Sequence, residues 1–311
     1  SDTREQKPAM RKALVTVPAS TANLGAGFDC LGLALGLRNT VELWEVKQGL
    51  EIDVEGEGEE RVPLDSTNLV VRAAEKVFEK VGKRPTGLRV HEVNAIPLGS
   101  GMGSSAATVV GGLAAANALV DGSLSRHDLL RLAYEMEGHA DNAAAALFGG
   151  LALVSANADE LLARSLTIAP MRVVIVLPEM RLSTAEARAA LPEQVSLKDA
   201  VFSLGHALFT VQALTSGDAD LLRWAVADRL HQPYRRKLIP GYEAVAAEAR
   251  KAGALAVALS GSGPSLVAFA SEKHWEIANA MKAAFEVNRL ACRTFVLPVD
   301  QQGVQISVSG R

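Results

Sequence analysis

Four runs of this 311-residue chain carry residue types and spacings that can do chemistry. The first, Ile96 to Thr108, reads IPLGSGMGSSAAT, with glycines at 99, 101 and 103 and then Ser104 and Ser105. Alternating glycines let backbone N–H groups face an anion without Cβ interference, and a helix opening at Ser104 adds its positive dipole end. The serines offer hydroxyls to a phosphate or to Mg²⁺, which takes few protein ligands and keeps waters. On residues alone the run reads equally well as a Gly-rich turn before a packing helix, whose Ala106, Ala107 and Ala114 to Ala116 allow close backbone approach. Two other phosphate loops are excluded. A Walker A loop needs Gly-Lys-Ser/Thr, and no lysine occurs between Lys83 and Lys198. A dinucleotide fingerprint needs Gly-x-Gly-x-x-Gly, and Asp121 ends the helix directly instead of a following strand.

The second run, EMEGHADNAAAALFGG from Glu135, sets His139, Asp141 and Asn142 before four alanines, as a lined cleft would. By itself Glu135 reads as a solvated helix carboxylate. The third, VTVPASTANLGAGFDCLGLAL from Val15, contains Asn23 and Asp29 in a stretch of small residues. The fourth, ALSGSGPSLVAF, places Ser260 to Ser265 between two strands, either as a loop closing over a ligand or as a tight turn.

The elements that position these runs follow from periodicity. Leu14 to Val17 reads as a short strand, and Asn39–Val46 with Leu50–Val54 as a hairpin around Gln48-Gly49. Helical spacing covers Asn68 to Val81, with Gly82 as the stop, and Leu88–Val93 is a strand delivering the glycine loop. Ser104 to about Leu119 is a helix capped by Ser104 or Ser105, and Ser125 with Asp128 forms a capping box for the next. Met171 begins a buried strand and a second domain. Helices are expected over Leu197–Thr215, Asp218–Leu230 and Tyr242–Ala252. The tail then runs strand, turn, strand, helix (Trp275–Val287) and strand (Arg293–Val299), an α+β layer with helices on one face.

Composition narrows the setting. Half the residues are hydrophobic and the net charge is −3, which gives no field for nucleic acid. Cys30 and Cys292 lie far apart, so neither a disulfide framework nor a metal knuckle is expected, and a reducing cytoplasm is the simpler setting. Ser1 to Lys12 is polar with no apolar h-region, and Ser1–Ala9 reads as an extension before the fold. Val93 to Val120 has no charged side chain, yet Pro97, the Gly/Ser cluster and the acidic flanks Glu92 and Asp121 reject a membrane span.

Taken together and in order, the four runs resemble the GHMP kinase superfamily, from Val15 to Phe269. The string from Pro18 to Asp29, the Gly-His-x-Asp-Asn of Gly138 to Asn142, and LSTAEAR (Leu182–Arg188) are similar to the homoserine kinases within it. Ala26, Ala140, Met102 and Ala144–Ala146 depart from the usual residues without removing a polar group. The resemblance implies an α+β two-domain fold, with an N-terminal ribosomal-protein-S5-domain-2-like unit over 1–169 and a C-terminal ferredoxin-like layer over 170–311. It implies an ATP- and Mg²⁺-dependent phosphotransferase acting on L-homoserine for threonine synthesis, with a homodimer as the family expectation. Another GHMP small-molecule kinase, or a ligand sensor on the same fold, is the alternative.

Site residues carry over motif by motif. ATP falls to Pro97, Leu98, Gly99, Ser100, Gly101, Met102, Gly103, Ser104, Ser105 and Ala106, with Asn68, and Mg²⁺ to Ser105 and Glu135, with Glu137 as the register alternative. Asn23 and Asp29 face the substrate ammonium, and Arg188 and Arg235 (or Arg236) clamp its carboxylate bidentately. Thr184 is a substrate contact or an N-cap. His139 and Asn142 line the substrate site with Asn142 near the reacting hydroxyl, and Asp141 is a base or a structural carboxylate.

Overall fold

The computed structural model describes residues 11–157 and 159–310, so the extension expected over Ser1–Ala9 lies outside the described residues. In chain order the first part holds β1 (Lys12–Ala22), β2 (Leu31–Val46), β3 (Gly49–Gly56), α1 (Leu69–Val81), β4 (Gly87–Asn94), α2 (Ser104–Leu119), α3 (Arg126–Glu137), α4 (Asp141–Phe148), β5 (Leu151–Ala156) and β6 (Leu161–Leu166). The second part holds β7 (Arg172–Pro178), α5 (Thr184–Ala189), α6 (Leu197–Ser216), α7 (Ala219–Ala225), α8 (Gln232–Arg235), α9 (Tyr242–Lys251), β8 (Ala256–Leu259), β9 (Leu266–Ala270), α10 (His274–Val287), β10 (Cys292–Pro298) and β11 (Gln305–Ser309).

The first sheet runs β11-β1-β2-β4-β3, with β5 also on β2 and β6 on β5. The expected hairpin does not form: β4 lies between its two arms, antiparallel to β2 and parallel to β3. Turn chemistry at Gln48-Gly49 marked a chain reversal, but partner choice belongs to a strand some forty residues on. Nor does β1 stop at Val17. It continues through Ala22, absorbing Pro18 at a bulge where its register with β2 shifts. The run from Val15 is therefore two strands and a short turn, and that turn carries Asn23 and Asp29 at positive φ.

Helix α2 packs on β1 and β2 and against α1, α3 and α4, and is buried on nearly every side. That accounts for the uncharged run, since a helix covered all round has no face for a charge. No described helix is long and apolar enough to cross a membrane.

The second sheet, β10-β7-β9-β8, is antiparallel throughout. The strand period of two splits β7: Val174 and Val176 face α9 and α10, while Val173 and Ile175 face the larger core with Ala213, Leu214 and Leu222. Both faces are covered, not the single one expected. Helix α7 ends at Ala225, five residues short of the expected stop, and the following loop delivers Asp228 and His231. The unexpected β11 carries the chain end back to β1 of the first sheet.

Candidate active site

The glycine loop joins β4 to α2 and is pinned at its entry by Asn39, whose Oδ1 accepts from the Ala95 and Ile96 amides at 2.9 Å. Inside the loop the Ser100 hydroxyl donates to the Pro97 carbonyl and accepts from the Met102 amide, and the Met102 side chain is wholly buried. The side chains of Ser100 and Met102, two of the residues carried over for ATP, are turned inward and shape the loop. Helix α2 is not capped by Ser104 or Ser105. Its N-cap is Gly103, with φ of 71° and no side-chain hydrogen bond, so the first-turn amides are left for a ligand. A Cβ on Gly103 would lie 2.2 Å from the Ser20 hydroxyl, and one on Gly101 2.3 Å from the Ser260 carbonyl oxygen. Both positions need glycine.

The loop opens on a cavity of about 340 Å³ lined by Gly99 to Gly101, by Gly103 to Ala106, by Glu137, and by Gly261 to Gly263 of the second part. The buried Ser104 hydroxyl and the Glu137 Oε2 have no partner among the described residues, and Ser105 donates its hydroxyl to Glu137 Oε1. A hydroxyl, a carboxylate and spare oxygens on the cavity wall are the donors a hard cation takes. Glu135 is excluded from this set. It is exposed, because two residues along a helix turn the side chain about 200° away. Glu137 takes its place, and burial raises its pKa, opposed by the Ser105 hydrogen bond and the His139 charge. Asn68 is also removed from the cofactor set. Its Oδ1 caps α1 on the Val70 and Val71 amides while its Nδ2 donates to Pro63 and to Glu92, so the side chain is fully occupied. Pro97 and Leu98 line an adjoining groove of about 840 Å³ that shares Gly99, Leu182 and Ser183 with the first cavity.

Gly138 in the left-handed region stops α3, and three residues later α4 begins at Asp141. The link swings His139 to within 3.5 Å of the buried Asp141 carboxylate, whose hydrogen bond raises the imidazole pKa. Asp141 also accepts from the Asn142 amide, and the Ser20 hydroxyl donates to Asn142 Oδ1 at 2.8 Å. That bond turns the Asn142 Nδ2 donor away from Ser20.

Beyond Asn142 a smaller cavity of about 50 Å³ gathers Asn23, Asp29, Thr184, Arg188 and Arg235, and it shares His139, Asn142 and Thr184 with the first. Asn23 is locked by bonds to the Gly261 carbonyl and the Asp29 amide. Asp29 and Arg188 pair through two bonds of 3.0 and 2.9 Å. Arg235 is 1 % exposed and turns inward, whereas Arg236 pairs with Glu243 at the surface, which decides that register. Burial pushes the Arg235 pKa down to about 10, with the Arg188 charge acting the same way. Thr184 is not the cap of α5. Ser183 is, in a capping box with Glu186, which leaves Thr184 facing both cavities.

The turn Ser260–Ser265 is stitched across the parts: Ser260 donates to Gly101 O, Gly261 to Ala22 O and Ser265 to Ser100 O. Residue reading missed Ser20, Phe28 and His231. The first two stand inside a quoted run, and His231 precedes Arg235 by one helical turn. Only contact geometry singles them out.

Residues 68–150 match the GHMP kinases N-terminal domain, and residues 210–287 match the GHMP kinases C-terminal model. The homoserine kinase of Moorella thermoacetica is 44% identical over 280 residues, covering 90% of this chain and 94% of that protein. The chain belongs to the homoserine kinase family of GHMP kinases. The homoserine kinase of Caldicellulosiruptor bescii is 42% identical over 94% of this chain and 96% of that protein. The crystal structure of homoserine kinase from Cytophaga hutchinsonii superposes with a TM-score of 0.87 at 33% identity, covering 99% of this chain and all of that one. The two-domain GHMP kinase fold extends to L. major mevalonate kinase, at 18% identity and a TM-score of 0.67 over 95% of this chain and 96% of that one. Within this fold the glycine loop, the α3–α4 link and the Ser260 turn meet in one cleft.

Proposed function

We propose that this chain transfers the γ-phosphate of ATP to the side-chain hydroxyl of L-homoserine, giving ADP and O-phospho-L-homoserine. The carrying observation is the junction of two cavities at Asn142, His139 and Thr184. One is walled by backbone amides and hydroxyls, as phosphates require, and the other by Asp29, Asp141 and two arginines, the charges a zwitterion requires. The ammonium and carboxylate of an α-amino acid share one carbon, and Asp29 and Arg188 are in contact to receive them side by side. Homoserine's hydroxyl, two carbons further on, then reaches toward Asn142.

Mg²⁺ would be held by Ser105 and Glu137, where it would neutralise charge on the phosphates. The free amides of the α2 first turn bind phosphate oxygens, and the groove at Pro97 and Leu98 receives the nucleoside. Asn142, oriented by Ser20, presents Nδ2 to the hydroxyl oxygen and so acts as a donor, not as a base. Asp141 holds His139 and the Asn142 backbone, and the hydroxyl proton leaves with the transferred phosphoryl group. Positioning and electrostatics suffice for a loose phosphoryl transition state. We further propose that the two domains divide at 169/170 and that the chain forms a homodimer, which sedimentation equilibrium would detect.

A coupled ADP-release assay across homoserine, mevalonate, galactose and shikimate tests the substrate. Turnover with homoserine alone is expected. Turnover with a non-amino-acid acceptor and none with homoserine would sink the assignment.

A further inference from the structure

Two arginines face the amino-acid cavity, and they are seated differently. Arg188 is neutralised by Asp29. Arg235 donates Nε to the Ala187 carbonyl at 3.1 Å, and among the described residues no carboxylate lies within ion-pair distance of it. Its other polar neighbour is the fully buried His231. We infer that His231 is a positioning residue that seats Arg235 on a neutral acceptor, so that the guanidinium meets the substrate carboxylate with its charge uncancelled.

The tautomer supports this assignment. His231 Nε2 lies 2.7 Å from the Gly25 carbonyl and 3.6 Å from Asp228, both acceptors, so the ring proton sits on Nε2. That leaves the Nδ1 lone pair toward Arg235 Nη1 at 3.5 Å. The contact is long for a hydrogen bond, and a stack completes the seat. Phe28 lies against the imidazole at 5.1 Å and 22° and carries the Arg235 guanidinium at 5.1 Å from its ring centroid. Asp228 accepts from the amides of Leu230, His231 and Gln232 and from Ser203, so it is fixed in place as the anchor of this loop. Burial lowers the imidazole pKa, which keeps the acceptor neutral. A carboxylate at position 231 would hold Arg235 as firmly but cancel its charge. The neutral seat adds no negative charge beside Arg235; the acids of this cavity are Asp29, paired with Arg188, and Asp141, which holds His139.

The inference rests on the proposed substrate and concerns selectivity for its carboxylate. The test compares kcat/KM for L-homoserine with that for 2-amino-1,4-butanediol, in which –CH2OH replaces the carboxylate. His231→Phe removes the acceptor, and His231→Asp replaces it with a charge. Both are expected to lose tenfold or more on homoserine, on the order of one hydrogen bond to a charged group, mostly through KM. Both should keep the diol within about threefold of wild type and leave KM for ATP unchanged, as expected when one charge contact is lost selectively. His231→Asn, with an acceptor oxygen near the Nδ1 position, should retain most of the homoserine preference. Should the Phe variant fail to fold, the Asp and Asn variants carry the same comparison. An unchanged homoserine-to-diol ratio in the Phe or Asp variant, or an equal loss on both compounds, would overturn the role of His231. Wild-type protein inactive on homoserine would instead overturn the substrate reading.

Discussion

Glu135 and Glu137 stand two residues apart and face opposite ways, so the pair separates a metal role from a helix-surface role. Glu137→Gln should lower kcat by about 10²–10³, the scale of losing one charge-stabilising group at a reacting phosphate. Glu135→Gln should leave steady-state kinetics unchanged. The same Glu137→Gln substitution should stabilise the ligand-free protein. Burial raises the Glu137 pKa, so the folded chain holds its proton more tightly than the unfolded chain. Stability therefore falls as pH rises from the ordinary glutamate range through the raised value. Glutamine removes that loss, and thermal melts should show the variant ahead of wild type at neutral pH and level with it in acid. Asn142 offers a second comparison. Asn142→Ala should slow single-turnover phosphoryl transfer with KM for homoserine little changed, and Ser20→Ala should reproduce part of the loss by freeing the amide. Normal single-turnover rates in Asn142→Ala would remove it from the hydroxyl.

Among the elements, α2 and α5 show how caps become functional. Half of the described α-helices are capped by a side chain, as α3 is by Ser125 and α5 by Ser183. Helix α2 has Gly103 instead, and its amides stay open. Gly103→Ala puts a methyl group into Ser20 at a positive φ, so loss of both stability and activity is expected, read by melting and by kcat. Ser183→Ala should cost about 1 kcal/mol of stability through the lost capping box. Because Thr184 and Arg188 ride on α5, KM for homoserine should rise as well. Most elements were legible. The spacing of Leu69, Val70, Ala73 and Val77 marks α1, and MRVVIVLP marks β7. The β3–β4 pairing, the length of β1 past Pro18 and strand β11 were not, because strand partners are chosen by contacts distant in sequence. Asp218–Leu230 read as one helix since its pattern gives no sign that Asp228 would take the backbone amides of the next turn.

At the scale of the molecule the site exists only where the two parts meet. The Ser260 hydroxyl donates to the Gly101 carbonyl and shares a hydroxyl–hydroxyl hydrogen bond with Thr21, joining the second sheet to the glycine loop and to β1. Ser260→Ala should therefore raise KM for both ATP and homoserine, a double effect unlike that of residues confined to one cavity. An unchanged KM for either substrate would show that the stitch does not couple them. Ligands that bridge the cleft bind the folded state alone. Homoserine with a non-hydrolysable ATP analogue, each at about a hundred times its Kd, should add about 2.7 kcal/mol per ligand, seen as a raised Tm.

The sequence by itself determined the local pieces, a lysine-free glycine loop before a helix and a polar trio before alanines, while the roles of Asp29, Arg188 and Arg235 toward a zwitterion came from the family resemblance. The local pieces depend on residue type and on spacing within one loop or helix, where the chain's own geometry limits the outcome. It could not choose between Glu135 and Glu137, retire Asn68 to its capping role, or find Ser20 and His231. Those outcomes turn on which face a helix buries and which distant backbone group a side chain meets. Only the packing of α3 against α2, and of the Asp228 loop beneath the Asn23 turn, decided them.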